Sequence, residues 1–92
     1  MTNLQVQIGQ RLKAIRKILG YTIKSLSEAT SVSSNLISLM ENGRIEPSII
    51  KVAKICEFYD ITVDALIFDT GKQFEDLLND LRGVTYDVRG AG

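Results

Sequence analysis

Between Ile8 and Phe68, apolar residues recur at helical spacing in five short runs, and each run is bounded by residues suited to starting or stopping a helix. Leu4, Ile8, Leu12, Ile15 and Leu19 share one face, and Gly20 then supplies a left-handed stop, so a first helix is predicted from about Leu4 to Leu19. Thr22 has the hydroxyl to cap a second helix of about eight residues, whose short apolar face is Leu26 with Ala29. Thr30-Ser31-Val32-Ser33 breaks the period: Val32 is the residue to plug the turn and Ser33 the one to cap a third helix ending at Asn42-Gly43. Pro47-Ser48 opens a fourth, with Val52, Ile55, Cys56 and Tyr59 on one face and Asp60 able to take the turn that ends it. Thr62 caps a last short helix through Leu66 to Phe68.

Beyond Phe68 the composition changes. Asp69-Thr70-Gly71 reads as a break, and Phe74, Leu77, Leu78 and Leu81 then fall at i, i+3, i+4, i+7, which predicts a sixth, acidic, amphipathic helix. Gly83 to Gly92 alternates weakly through Val84, Tyr86 and Val88, as an extended arm or a disordered tail would. The expected organisation is one domain over residues 4–68 followed by a C-terminal helix and tail over 69–92.

Net charge is zero, but the total hides a split: residues 1–54 carry eight Lys and Arg against three acids, and residues 55–92 carry three against eight. A basic half beside an acidic half suits a polyanion-binding face with a separate acidic region, although small domains also show such splits by chance. Cys56 is the one cysteine and there is no histidine, so neither an internal disulfide nor a zinc cluster is expected. No glycine-rich phosphate loop or catalytic constellation appears, which leaves an enzyme without a site to work from, and no cofactor is expected. The absence of a long apolar run and of a charged, apolar leader at Met1-Thr2-Asn3-Leu4 makes a cytoplasmic location the expectation, with no membrane partner.

The ordered set of Ile8-Gly9, Leu12, Arg16 ahead of Gly20, Leu26, Val32-Ser33, Ile37-Ser38, Glu41-Asn42-Gly43-Arg44, Pro47 and Ile61-Thr62-Val63-Asp64-Ala65-Leu66 resembles the lambda-repressor and Cro family, also called the XRE family. The resemblance covers Ile8 to Phe68. It implies an all-α, five-helix lambda-repressor-like domain with a helix-turn-helix, here followed by the C-terminal amphipathic helix. It also implies that Ser34, Asn35, Ser38 and Leu39 read base edges of double-stranded DNA, while Thr22, the backbone of Ile23, Asn42 and Arg44 hold phosphates. An asparagine donates and accepts at once, so Asn35 suits bidentate pairing with adenine N6 and N7, worth about 1–3 kcal/mol of discrimination. Leu39 suits a thymine methyl or, alternatively, packing within the core or a dimer; Asn42 suits a phosphate or, equally, helix termination. Arg16 and Glu41 match a family ion pair with a structural role. The chain departs from the family at Ile23, where a glutamine is customary, and at Ser27, where an alanine is.

A single helix reads too few base pairs to select a genomic site, so a homodimer on a palindromic operator is expected. Phe58, Ile67, Phe68 and the Phe74/Leu77/Leu78/Leu81 stripe are apolar residues in excess of a small core, and the sixth helix is expected to seal the dimer, with folding back on its own domain as the alternative. The leading function is a sequence-specific transcriptional regulator, a repressor. Two alternatives stand beside it: an antitoxin-type autoregulator whose acidic tail binds a protein partner, and an interaction module that has lost DNA binding.

Overall fold

The computed structural model describes residues 3–67 and 72–83, and these form six helices with no strand among them. They are α1 (Asn3–Leu19), α2 (Ile23–Thr30), α3 (Ser34–Glu41), α4 (Ile49–Tyr59), α5 (Asp64–Ile67) and α6 (Lys72–Leu81). Phe68 and the Val84, Tyr86, Val88 alternation lie outside the described residues.

Each boundary has a local cause. Gly20 ends α1 at φ 84°, and Gly43 follows α3 at φ 67°, a region a side chain would oppose. Thr22, Ser33 and Ser48 are the N-caps of α2, α3 and α4, each accepting from the amide three residues on. Asp60 closes α4 in the left-handed region at φ 61°. The short α5 begins two residues beyond Thr62, at Asp64, and its first turn is closed by backbone bonds from Ala65 to Thr62 and Leu66 to Val63.

α1 is the hub: it packs against α3, α5 and α6, while α2 bridges α3 and α4. Ile8, Leu12 and Ile15 meet Leu26, Val32, Ile37, Met40, Val52, Ile55 and Leu66 in one buried cluster. Where α1 crosses the end of α3 the backbones touch, because a Cβ at Gly9 would collide with the Met40 carbonyl oxygen and crowd that of Glu41. Long side chains of α1 also complete α5, whose four residues leave every carbonyl without a helical partner. Arg11 Nη1 donates to the carbonyls of Ala65 and Leu66 at 3.3 and 3.2 Å, and Gln7 Nε2 donates to Leu66 at 3.2 Å.

The sixth helix turns its apolar stripe onto its own domain. Phe74 and Leu78 are buried, Leu77 and Leu81 pack against the same cluster, and α6 contacts α1 and α5. The Arg11 guanidinium lies 4.8 Å from the Phe74 ring centroid, a cation–π contact that ties α1 to α6. Within the single chain the stripe therefore packs on its own domain.

Candidate nucleic-acid interface

α2 and α3 are joined by the three residues Ser31, Val32 and Ser33. At the start of α2, Thr22 Oγ1 accepts from the Ser25 amide at 2.9 Å while Ser25 Oγ accepts from the Thr22 amide at 2.9 Å, a reciprocal capping box. The last residue of α2 departs from the sequence expectation: Thr30 is buried beside Leu26, and Ala29 is exposed. Burial of Thr30 is tolerated because its hydroxyl donates to the Leu26 carbonyl at 2.8 Å and accepts from the Val32 amide at 3.3 Å. Ser31 makes the turn at φ 63°, with its amide bonded to the Ser27 carbonyl at 2.8 Å. Val32 is then driven fully into the core, and Ser33 Oγ accepts from the Leu36 amide at 3.1 Å to start α3.

The far end of α3 is fastened to α1. Arg16 Nε and Nη2 reach the two carboxylate oxygens of Glu41 at 2.8 and 3.0 Å, and Arg16 Nη1 donates to the Tyr21 carbonyl at 2.8 Å. Both side chains are nearly enclosed, at 9% and 3% exposure. The bidentate bond to Glu41 holds the arginine pKa above its usual value in spite of the opposing effect of burial. Gln5 Nε2 adds a bond to the Gly43 carbonyl at 2.9 Å. Nothing local in the sequence announces Gln5 in this role, since its partner is 38 residues away. Beneath the pair, the Tyr59 hydroxyl is buried without a hydrogen-bond partner, and desolvation pushes its pKa up.

What remains exposed is the first turn of α3 and the start of α2. Ser34 and Asn35 are exposed directly after the Ser33 cap, and Ser38 and Leu39, one turn on, are half-buried. Thr22 is exposed; the Ile23 side chain packs against the core, which leaves its backbone as the polar group at that position. Arg44 is exposed beyond the end of α3, and Lys24, not among the residues expected at the site, is exposed in the first turn of α2. Asn42 is exposed, but its Nδ2 already donates to the Ser38 carbonyl at 2.9 Å and lies 3.5 Å from Ser38 Oγ. Its side chain therefore caps the end of α3. Among the described residues there is no cluster of His, Cys, Asp and Glu that could hold a metal ion, and no helix long and apolar enough to cross a membrane.

Two short helices joined by a tight turn, the second held rigidly at one end and bare at the other, define a helix-turn-helix domain. A family model described as a helix-turn-helix domain matches residues 9–72. The chain is 36% identical over 61 residues to the HTH-type transcriptional regulator SinR of Bacillus subtilis, covering 65% of this chain and 55% of that protein. It is 29% identical over 66 residues to the transcriptional regulator ClgR of Mycobacterium tuberculosis, covering 72% of this chain and 59% of that protein. The chain belongs to the helix-turn-helix domain family, in its XRE-like branch. It spans a little over half the length of the curated relatives it matches. No solved structure matches it significantly.

Proposed function

We propose that this chain is a DNA-binding transcriptional regulator that acts as a repressor by occupying a palindromic operator as a homodimer. The observation that carries the reading is the asymmetry of α3: its C-terminal end is locked to α1 through Arg16–Glu41, while Ser34 and Asn35 project from its free first turn. A helix in that state presents a fixed set of donors and acceptors to a major groove. Asn35 reads adenine, Ser34 and Ser38 accept or donate to neighbouring edges, and Leu39 meets a thymine methyl. Thr22, the Ile23 amide, Lys24 and Arg44 hold the flanking phosphates, and Asn42 contributes by fixing the end of α3. The regulators SinR and ClgR among its relatives support a role in transcription. The protein is placed in the cytoplasm on this reading, where its DNA is.

Selection of bound duplexes from a random pool tests it. The expected winner has two inverted half-sites about one helical turn apart, and Asn35→Ala weakens its binding about tenfold or more by removing a bidentate contact. Failure to enrich any duplex, or a winner that binds Asn35→Ala equally well, would refute the assignment. A second reading, an antitoxin-type autoregulator with a protein partner at its acidic segment, draws on the exposed Glu75, Asp76 and Asp80 of α6; its signature is a second polypeptide that co-purifies with the chain and is released by truncating α6.

A further inference from the structure

The strongest unexplained surface is the outer face of α4. Its inner face already completes the core through Val52, Ile55, Cys56 and Tyr59, and the helix lies outside the α2–α3 reading pair. Yet Ile49 and Ile50 are 62% and 65% exposed, the most exposed large apolar side chains among the described residues. They begin a stripe of Ile49, Ile50, Ala53, Lys54, Glu57 and Phe58, all exposed, at the i, i+1, i+4, i+5 spacing of one helical face. A shallow groove of about 490 Å³ borders the stripe, lined by Ile50, Ala53, Lys54 and Glu57 on α4 and by Ile61 and Val63 beyond it. On the other flank, Ile49 shares a groove of about 250 Å³ with Leu4, Pro47 and Ile67. The outer face of α4 thus sets three large apolar side chains, Ile49, Ile50 and Phe58, around the charged pair Lys54 and Glu57.

We propose that a second copy of this chain covers it, with α4 crossing α4 antiparallel about a two-fold axis between Ala53 and Lys54. The proposal rests on the dimeric reading above and assigns its surface. The argument for a second copy is self-complementarity, which an isologous interface demands. Antiparallel pairing about that axis sets Ile49 opposite Phe58 of the second copy and Ile50 opposite its Glu57, beside the apolar groove. Ala53, the smallest side chain of the stripe, sits at the point of closest approach. Lys54 falls one turn from Glu57 of the second copy, so the two-fold operation brings unlike charges together twice, whereas a parallel approach aligns like with like. The stripe carries one cation and one anion, a balance that favours a neutral, matching face over a polyanion. A stable interface needs about 800 Å² from each copy, about a seventh of the 5460 Å² this chain exposes. The stripe and its two flanking grooves, which also carry Lys54, Glu57, Gln5 and Glu46, are the surface from which such an area is drawn.

Sedimentation equilibrium of the full chain over a range of concentrations, with circular dichroism as a check of folding, tests the surface. Lys54→Glu and Glu57→Lys each place like charges across the axis and are expected to raise the dimer dissociation constant about tenfold or more. The double variant Lys54→Glu/Glu57→Lys restores unlike pairs and is expected to recover most of that loss, a rescue that misfolding does not produce. Ile50→Glu is expected to leave the chain folded and monomeric. Single variants with unchanged dimerisation, or a double variant no better than the singles, would overturn the proposal. If the wild type dimerises and selects paired half-sites while all α4 variants do the same, this surface is refuted and the operator reading stands. A wild-type chain that stays monomeric and selects a lone half-site refutes both, and a different protein bound to the stripe of a monomeric chain refutes the second copy as its occupant.

Discussion

Glu41→Ala removes the carboxylate from an arginine that is 9% exposed at its side chain and holds two bonds to it, at 2.8 and 3.0 Å. What remains is a guanidinium enclosed by protein with only the Tyr21 carbonyl to satisfy it. Stranding a buried charge in this way costs about 3–5 kcal/mol. Against a total stability of about 5–15 kcal/mol for a domain of this kind, that is between a fifth of it and all of it. At about 4–8 °C per kcal/mol, the midpoint of thermal unfolding falls by at least ~12 °C. The pair itself is a different quantity. Arg16→Met with Glu41→Leu removes both charges and both desolvation penalties, so the double variant is expected to be more stable than either single one, with a coupling of about 2–4 kcal/mol. Urea unfolding followed by far-ultraviolet circular dichroism measures Glu41→Ala, the singles Arg16→Met and Glu41→Leu, and their double. A loss under ~1 kcal/mol for Glu41→Ala, the value of a solvated pair, or a double variant whose loss is the sum of the singles, would refute the reasoning.

Three further perturbations follow from the same geometry. Gly9→Ala places a methyl group on the Met40 carbonyl oxygen, where only backbone movement makes room, and is expected to destabilise by about 1–3 kcal/mol or more, read as a lower urea midpoint. Ser31→Gly acts in the opposite sense: Ser31 sits at φ 63°, and relieving that left-handed strain is expected to stabilise the chain by about 0.5–1 kcal/mol in the same assay; a loss of stability would contradict it. Burial pushes the Cys56 thiol from 9.0 up to about 11. The unfolded chain therefore loses that proton first, so the contribution is complete below pH 9 and is lost as pH rises toward 11, by about 2–3 kcal/mol over that window. Cys56→Ala is expected to flatten this part of the stability profile, and a profile identical to wild type would remove the thiol as its cause.

Boundaries were legible in the sequence because caps are local chemistry. Thr22, Ser33 and Ser48 each bond an amide three residues away, and Gly20 and Gly43 take the positive φ for which glycine is suited. The exchange of Ala29 for Thr30 as the buried residue was hidden, since a threonine enters a core only when its hydroxyl finds the preceding turn, here the Leu26 carbonyl. The left-handed Ser31 carried no signal, because nothing in a serine demands that region. Gln5, Gln7 and Arg11 escaped notice for another reason: their partners lie 38 to 60 residues away and are backbone carbonyls, which every residue has. Periodicity showed that α6 has an apolar face and could not show what that face meets; the Phe74 ring under Arg11 supplies that answer.

The contacts at the two ends of α3 differ in kind, and the difference bears on recognition. Its start is set by Ser33 and the buried Val32, both within the turn itself. Its end is set by α1, through the Gly9 approach, the Arg16–Glu41 pair and the Gln5 bond to Gly43. The direction in which Ser34 and Asn35 point is therefore fixed by a lever whose anchor is the far end of the helix, whereas the start of α2, proposed above to hold phosphates, is held by its own capping box. Base readout depends on that direction and phosphate attraction does not. Loosening the anchor without unfolding the chain separates the two, because discrimination between sequences falls while salt-dependent attachment to any duplex persists. On the proposed DNA-binding reading, a buried ion pair with modest net worth for stability has a second use in this fold, as the element that would fix the angle at which α3 meets a duplex.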